Sequence, residues 1–221
     1  MGTPAAADGA PAESLEIRPP VQRRSREAWE RVLNAGVELL EEGGYDAFTI
    51  AAVCERAHVA PRAIYARADN KDALFLAVYE HGMARVSADQ AVLTDEERWR
   101  DLPPDQLAIQ VVRDVAAIIF RHAALLRAVV LISGVHAEVN RRGAYYSRQL
   151  GDQVTTLLLR ARDAIDNPDP ETAVRAAFNA VFSALILRVA YGPAFATPPT
   201  DEQTFLETLS LMVRRYLFAP E

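Results

Sequence analysis

Lysine is almost missing from this chain of 221 residues: one, Lys71, stands against 23 arginines. With alanine abundant, the imbalance reads as genomic base composition rather than mechanism. Cysteine occurs once, at Cys54, which excludes an internal disulfide and fits a small buried filler in a reducing compartment. The four histidines (His58, His81, His122, His136) are scattered, and His136 and Glu138 lie too close on one helix to share a metal easily. There is no glycine-flanked serine elbow and no glycine-rich phosphate loop. No carboxylate is embedded in a long apolar run, where burial would raise its pKa. These absences speak against an enzyme, a bound metal and a cofactor. No uninterrupted apolar stretch reaches the roughly eighteen residues of a membrane span. The start, MGTPAAADGAPAESLEIRPP, lacks the basic opening and apolar run of a signal peptide. The expected compartment is the cytoplasm, with no membrane partner.

Thirteen prolines and ten glycines fall mostly in the N-terminal tail and between long helical runs, so the expected class is all-α. Half of the residues are hydrophobic, enough for a sizeable core in one large or two small domains. The net charge of −6 would repel DNA as a whole, which weighs against a non-specific nucleic-acid coat but leaves room for a local basic face. The acids Glu38, Glu41 and Glu42 sit apart from Arg62, Arg67 and Lys71.

The most informative stretch is Thr49 to Leu74, TIAAVCERAHVAPRAIYARADNKDAL. Thr49 can cap a helix whose apolar side is Ile50, Val53 and Ala57. His58 to Pro61 cannot comfortably continue it, but Pro61 suits the first position of a new helix. That second helix is short, Pro61 to Ala66, with Arg62, Ala63 and Arg67 free to face outwards while Ile64 packs inside. Two short helices joined by such a turn make a helix-turn-helix, whose second member can enter a DNA major groove. Arg62, near its start, can hold both acceptors of a guanine edge, and Ala63 can touch a thymine methyl.

Around this motif the chain reads as a series of helices. Residues 1–22, rich in alanine, proline and glycine without periodicity, are expected to be a disordered tail. Its basic end, which includes Arg23 and Arg24, could follow DNA phosphates as an arm. Ser25 can cap the first long helix, with Trp29, Val32, Leu33, Gly36, Val37 and Leu40 at helical spacing, and Gly43-Gly44 stops it. Asn70 can cap a fourth helix running to about Ala88. After a polar connector over 89–104 come helices near 105–121, 123–133 and 135–165, the last with a bend expected at Gly143 or Gly151. Asp169-Pro170-Glu171 starts a helix to Tyr191. Thr200 with Gln203 forms a capping box for a final helix to about Phe218. The last two helices carry more apolar surface than one small domain hides.

Residues 25–75 resemble the DNA-binding domain of the TetR family of bacterial transcriptional regulators. The resemblance is carried by Gly44-Tyr45-Asp46-Ala47-Phe48-Thr49, Val53, Glu55-Arg56-Ala57, Val59, Ile64-Tyr65 and Asn70-Lys71-Asp72-Ala73-Leu74. His58 stands where the family usually has glycine, Ala60 where a serine or threonine cap is usual, and Arg67-Ala68 where a histidine-phenylalanine pair is common. The resemblance implies a three-helix DNA-binding domain over 23–69 and a helical effector-binding and dimerisation domain over 70–221. Thr49, Pro61, Tyr65, Arg67 and Lys71 would then join Arg62 and Ala63 at the DNA. It further implies a four-helix dimer interface from the last two helices, with Ala176, Ala180, Ala184, Leu209, Met212, Val213 and Tyr216. A cavity in the body would take an apolar or aromatic small molecule, with Trp99, Phe120, His122, His136, Asn140, Tyr145, Phe178, Asn179 and Phe182 as lining positions. The expected function is a ligand-responsive homodimeric repressor of a palindromic operator. The alternative is a helical interaction module of the same fold without sequence-specific regulation.

Overall fold

The computed structural model describes residues 23–195 and 198–218. Among them the regular structure is helical: α1 (Arg23–Ala47), α2 (Ile50–Ala57), α3 (Pro61–Tyr65), α4 (Lys71–Asp89), α5 (Glu96–Trp99), α6 (Pro104–Arg121), α7 (Ala123–Ser133), α8 (Ala137–Leu158), α9 (Pro170–Tyr191) and α10 (Glu202–Leu217). Short 3₁₀ turns follow α4 and α8, at Gln90–Thr94 and Leu159–Ala164. The expected tail over 1–22 lies outside the described residues.

Helix α1 buries Trp29, Val32, Val37 and Leu40 on one face, the spacing that a 3.6-residue repeat requires. It is broken near its end at Gly44, whose φ of 65° and ψ of −159° belong to a region open essentially to glycine alone. The expected glycine stop is therefore a turn between α1 proper and the Tyr45–Phe48 link. Phe48, wholly buried, stacks edge-on against Phe75 of α4 and fastens α1, α2 and α4 together. Gly36 matters for closeness, since a Cβ there would lie 2.4 Å from a Val78 methyl. α1 packs against α2 and α4 and also reaches α7, while α6, α8, α9 and α10 build the larger body.

The structure departs from the expected caps at two places. Ser25 lies within the first turn of α1 rather than capping it, and its hydroxyl is taken by Arg67. At the last helix the cap is Asp201 rather than Thr200. Its carboxylate accepts from the Thr204 amide at 2.8 Å and from the Thr204 hydroxyl at 2.7 Å, while Gln203 turns to Glu207. A charged oxygen beside a helix N-terminus gains from both the bare amides and the helix dipole, which decides between the two neighbouring caps. α8 runs continuously through Gly143 and Gly151 and passes into the 3₁₀ turn only after Leu158. Gly151 makes room for the Phe178 ring, which would stand 2.8 Å from an added Cβ. The connector contains α5, whose Trp99 is buried with its indole N–H donating to the Val92 carbonyl at 2.8 Å.

Among the described residues one helix, α9, is long and apolar enough by length and composition to cross a membrane, although polar residues interrupt its apolar run. In this fold it packs on α7, α8 and α10.

Candidate DNA-reading face and ligand cavity

Helices α2 and α3 form the expected helix-turn-helix. Thr49 is extended at φ −123° and its hydroxyl accepts from the Ala52 amide at 3.1 Å, so the N-terminus of α2 is capped. His58 adopts the left-handed conformation, φ 51° and ψ 52°, that its family position normally gives to glycine, and its amide closes α2 onto the Glu55 carbonyl at 3.2 Å. Histidine tolerates this region better than most side chains. Ala60 precedes α3 without a side-chain cap, and Pro61 sits at its first turn.

Ile64 and Ala68 are wholly buried and hold α3 against α1 and α2. The opposite side presents Pro61 and Arg62 exposed, Ala63 half-buried and Tyr65 49 % exposed. Thr49 is exposed at the start of α2. Arg67 behaves differently from an outward phosphate contact: its guanidinium donates to the Ala63 carbonyl at 3.1 Å, bonds the Ser25 hydroxyl and lies 5.6 Å from the Trp29 ring centre. Lys71 is likewise half-occupied, 3.9 Å over the Tyr45 ring and 3.4 Å from the Tyr45 carbonyl. Tyr45 in turn donates to Asp72 at 3.0 Å; burial, with that carboxylate, pushes its phenol up to about 12. Arg23 and Arg24 belong to the first turn of α1 rather than to a loose arm, with Arg23 paired to Glu27 at 2.9 Å. The acids of α1 do not spoil the basic face, because Arg56 engages Glu42 at 2.6 and 2.8 Å and approaches Glu38 at 3.7 Å.

The body holds a cavity of about 310 Å³, walled by α4, α6, α7, α8 and α9. Of the expected lining residues it brings in Asn140 and Phe182. The others serve elsewhere. Trp99 belongs to the core around the connector, and Phe120 packs against the core from a half-buried position. His122 meets Asp89 at 2.9 Å. His136 caps α8, accepting from the Val139 amide at 3.3 Å. Tyr145 stands edge-on to Tyr146, Phe178 stacks on Phe182 from outside, and Asn179 is exposed. The positions that sequence reasoning missed are Tyr79, Gln90 and Tyr146, together with the apolar wall residues. A signal existed along α4 and into the turn after it, where Tyr79, Met83, Val86 and Gln90 repeat at helical spacing.

Beneath this cavity lies a buried ion cluster. Arg142, 3 % exposed, donates to Glu80 of α4 and to Glu138 of α8, each at 2.5 Å, and the Tyr146 hydroxyl donates to the other oxygen of Glu80 at 2.5 Å. The hydrogen bond from Arg141, reinforced by that from Arg142, pulls the Glu138 carboxyl down to about 2, although burial pushes it the other way more strongly than the Arg142 bond alone lowers it. Every full charge here has an opposite neighbour, which makes the burial tolerable.

On the far side, α9 and α10 enclose an open apolar groove of about 410 Å³, and all seven expected interface residues line it. Leu209 and Val213 are buried within the chain, whereas Met212 and Tyr216 are 58 % and 51 % exposed. Leu187, Tyr191 and Phe195 extend the exposed apolar surface along the same helix and its end.

Residues 32–78 match the family profile described as bacterial regulatory proteins, tetR family. Comparison with curated protein sequences finds no match. Among solved structures, a candidate TetR-family transcriptional regulator from Mesorhizobium loti aligns with a TM-score of 0.65 at 15% identity, over 88% of this chain and 97% of that one. A regulatory protein of the tetR family from Rhodococcus RHA1 gives 0.64 at 17%, covering 88% and 98%. NalD, the secondary repressor of the MexAB-OprM multidrug efflux pump in Pseudomonas aeruginosa, gives 0.63 at 19%, covering 90% and 100%. At these identities the structures establish a shared fold over nearly the whole chain, and the profile match falls on the reading head itself. The chain therefore carries a segment matching the tetR-family DNA-binding profile, within a fold it shares with solved regulators of that family.

Proposed function

We propose that this protein is a homodimeric repressor that binds a near-palindromic operator and answers to a small molecule held in the body cavity. Residues 23–69 act as the DNA-reading head and 70–221 as the effector-binding and dimerisation domain, in the cytoplasm where the DNA is. The observation that carries the reading is the position of α4. Asn70 caps its first turn, Lys71 and Asp72 join that turn to Tyr45 of the head, and its middle walls the cavity with Tyr79, Met83 and Val86. An occupant of the cavity thus touches the helix on which the head is mounted.

In this reading Arg62 reads a base edge, Ala63 and Tyr65 flank it, and Thr49 and Pro61 approach the backbone. Arg67 and Lys71 reach phosphate only by leaving Ser25, Trp29 and Tyr45, so they contribute less than Arg62. A dimer paired through the α9–α10 groove would offer two recognition helices to operator half-sites one DNA turn apart, roughly 34–36 Å. Repression is the role of NalD, which shares the fold.

The test is selection of duplexes from a random library by the purified protein, beside Arg62→Ala, at one stated salt concentration. A two-fold-symmetric sequence should emerge, and the variant should lose preference at one symmetric position, a loss of about 1–3 kcal/mol per base contact. Enrichment of nothing by the unaltered protein would remove the operator reading and favour a helical interaction module of the same fold.

A further inference from the structure

The Tyr79 hydroxyl is buried and makes no hydrogen bond. The ring belongs to the wall of the 310 Å³ cavity and has no exposed surface. A buried phenol without a partner gives up the hydrogen bond it would make in water, and native structures leave few such groups. Burial also holds this phenol far above its ordinary range, so it remains protonated and offers a donor. The neighbouring Tyr146 hydroxyl is already committed to Glu80, and the Ser133 and Ser147 hydroxyls donate to backbone carbonyls at 2.7 and 2.8 Å.

No Asp, Glu, Lys, Arg or His is among the residues that line this cavity. Glu80, Glu138, Arg141 and Arg142, which adjoin wall residues in sequence, are paired with one another. A charged occupant would shed its hydration and find no counter-ion, a cost that buried ions pay only when paired. A neutral occupant with an acceptor oxygen would find both an apolar wall and a waiting donor.

We propose that the cavity takes a neutral, largely apolar small molecule bearing one hydrogen-bond acceptor, such as a ketone, ester or ether oxygen, which receives the Tyr79 hydroxyl. The proposal rests on the reading above that this cavity is the effector site, and it narrows the class of effector. Gln90 and Asn140 supply further polar positions at the wall, and the donor on Tyr79 fixes the orientation.

The test uses the full chain near neutral pH and three probes of one shape: 2-acetylnaphthalene, 2-ethylnaphthalene and 2-naphthoate, each titrated calorimetrically. In the unaltered protein the ketone should bind roughly fivefold or more tighter than the hydrocarbon, the worth of one net hydrogen bond, and the carboxylate weakest. Tyr79→Phe removes one oxygen that has no partner, so the fold should hold, and the ketone's advantage should vanish while the hydrocarbon's affinity stays. The ketone-to-hydrocarbon ratio in the unaltered protein is readable without any variant. Tightest binding of the carboxylate, equal binding of ketone and hydrocarbon, an advantage that survives Tyr79→Phe, or binding of none of the three would overturn the proposal. Ketone binding that depends on Tyr79 but leaves affinity for the selected duplex unchanged would uphold the cavity's chemistry and remove the ligand-response reading instead.

Discussion

Gly36→Ala should destabilise the protein, although replacing a mid-helix glycine by alanine ordinarily helps. Gly36 lies on the buried face of α1 where α4 crosses it. A Cβ there would stand 2.4 and 2.9 Å from the two Val78 methyls and 3.1 Å from the Phe48 ring. Carbon atoms prefer about 3.5–4.0 Å, and a helical valine is held near one rotamer, so Val78 cannot swing aside. Both neighbours are fully buried, which leaves separation of α1 from α4 as the way out. Overpacking of this kind costs about 1–3 kcal/mol, and removing a helical glycine returns about 0.5–1 kcal/mol. The net loss should lie in the upper half of about 0–2.5 kcal/mol, because the added Cβ meets two methyls and a ring at once, read as a lower urea midpoint at unchanged slope. Val78→Ala removes the clashing methyls. In the unaltered background it should cost about 1.5–3 kcal/mol, from lost burial plus the cavity left behind. In the Gly36→Ala background it should cost at least about 1 kcal/mol less, the coupling expected of residues in contact. A Gly36→Ala protein as stable as the parent, or strictly additive losses in the double variant, would refute the close α1–α4 packing.

Two further outcomes follow from the geometry. Met212→Glu with Tyr216→Glu should leave the single chain folded, since both side chains are about half exposed, but halve the mass seen in sedimentation; a parent that sediments as a monomer, or a variant of unchanged mass, would remove the α9–α10 face as the dimer contact. The Glu138 carboxyl, held down to about 2 against an ordinary 4.5, contributes stability that is whole above pH 4.5 and lost as the pH falls through 2. Glu138→Gln should therefore flatten the acid-denaturation profile between those values, and an unaltered slope there would show that the carboxylate is not held by its arginines.

Local signals were readable in the chain and distant ones were not. Thr49, Asn70 and Asp169 cap their helices because the bond each makes reaches only three residues ahead. Ser25 looks equally fit as a cap, but the partner that claims it, Arg67, lies 42 residues away and comes near only through tertiary packing. The seven positions that the resemblance implies for an interface line the α9–α10 groove, where two adjacent helices carry more apolar surface than their own core uses. The cavity was read poorly for the opposite reason. A polar or aromatic break in an apolar face does not say whether the side chain meets a cavity, as Asn140 does, a helix end, as His136 does, or a backbone carbonyl, as Trp99 does.

The cavity and the reading head meet in three consecutive residues of α4. Successive helical side chains point about 100° apart, so Val78, Tyr79 and Glu80 address three different neighbours. Val78 packs on Gly36 of α1, Tyr79 walls the cavity, and Glu80 is held by Arg142 and Tyr146 of α8. The same residue that lacks a partner is thus flanked by one anchor to the head and one to the body. The Val78 anchor is a close steric fit with little room to yield, while the Glu80 anchor is made of directional bonds that a displaced carboxylate can lose. On the proposed reading, a ligand that draws Tyr79 into the cavity would strain the directional Glu80 bonds before it strained the close fit of Val78 on Gly36. Allosteric coupling of typical size, about 1–3 kcal/mol, is within the range of one charge-assisted hydrogen bond made or lost in that cluster.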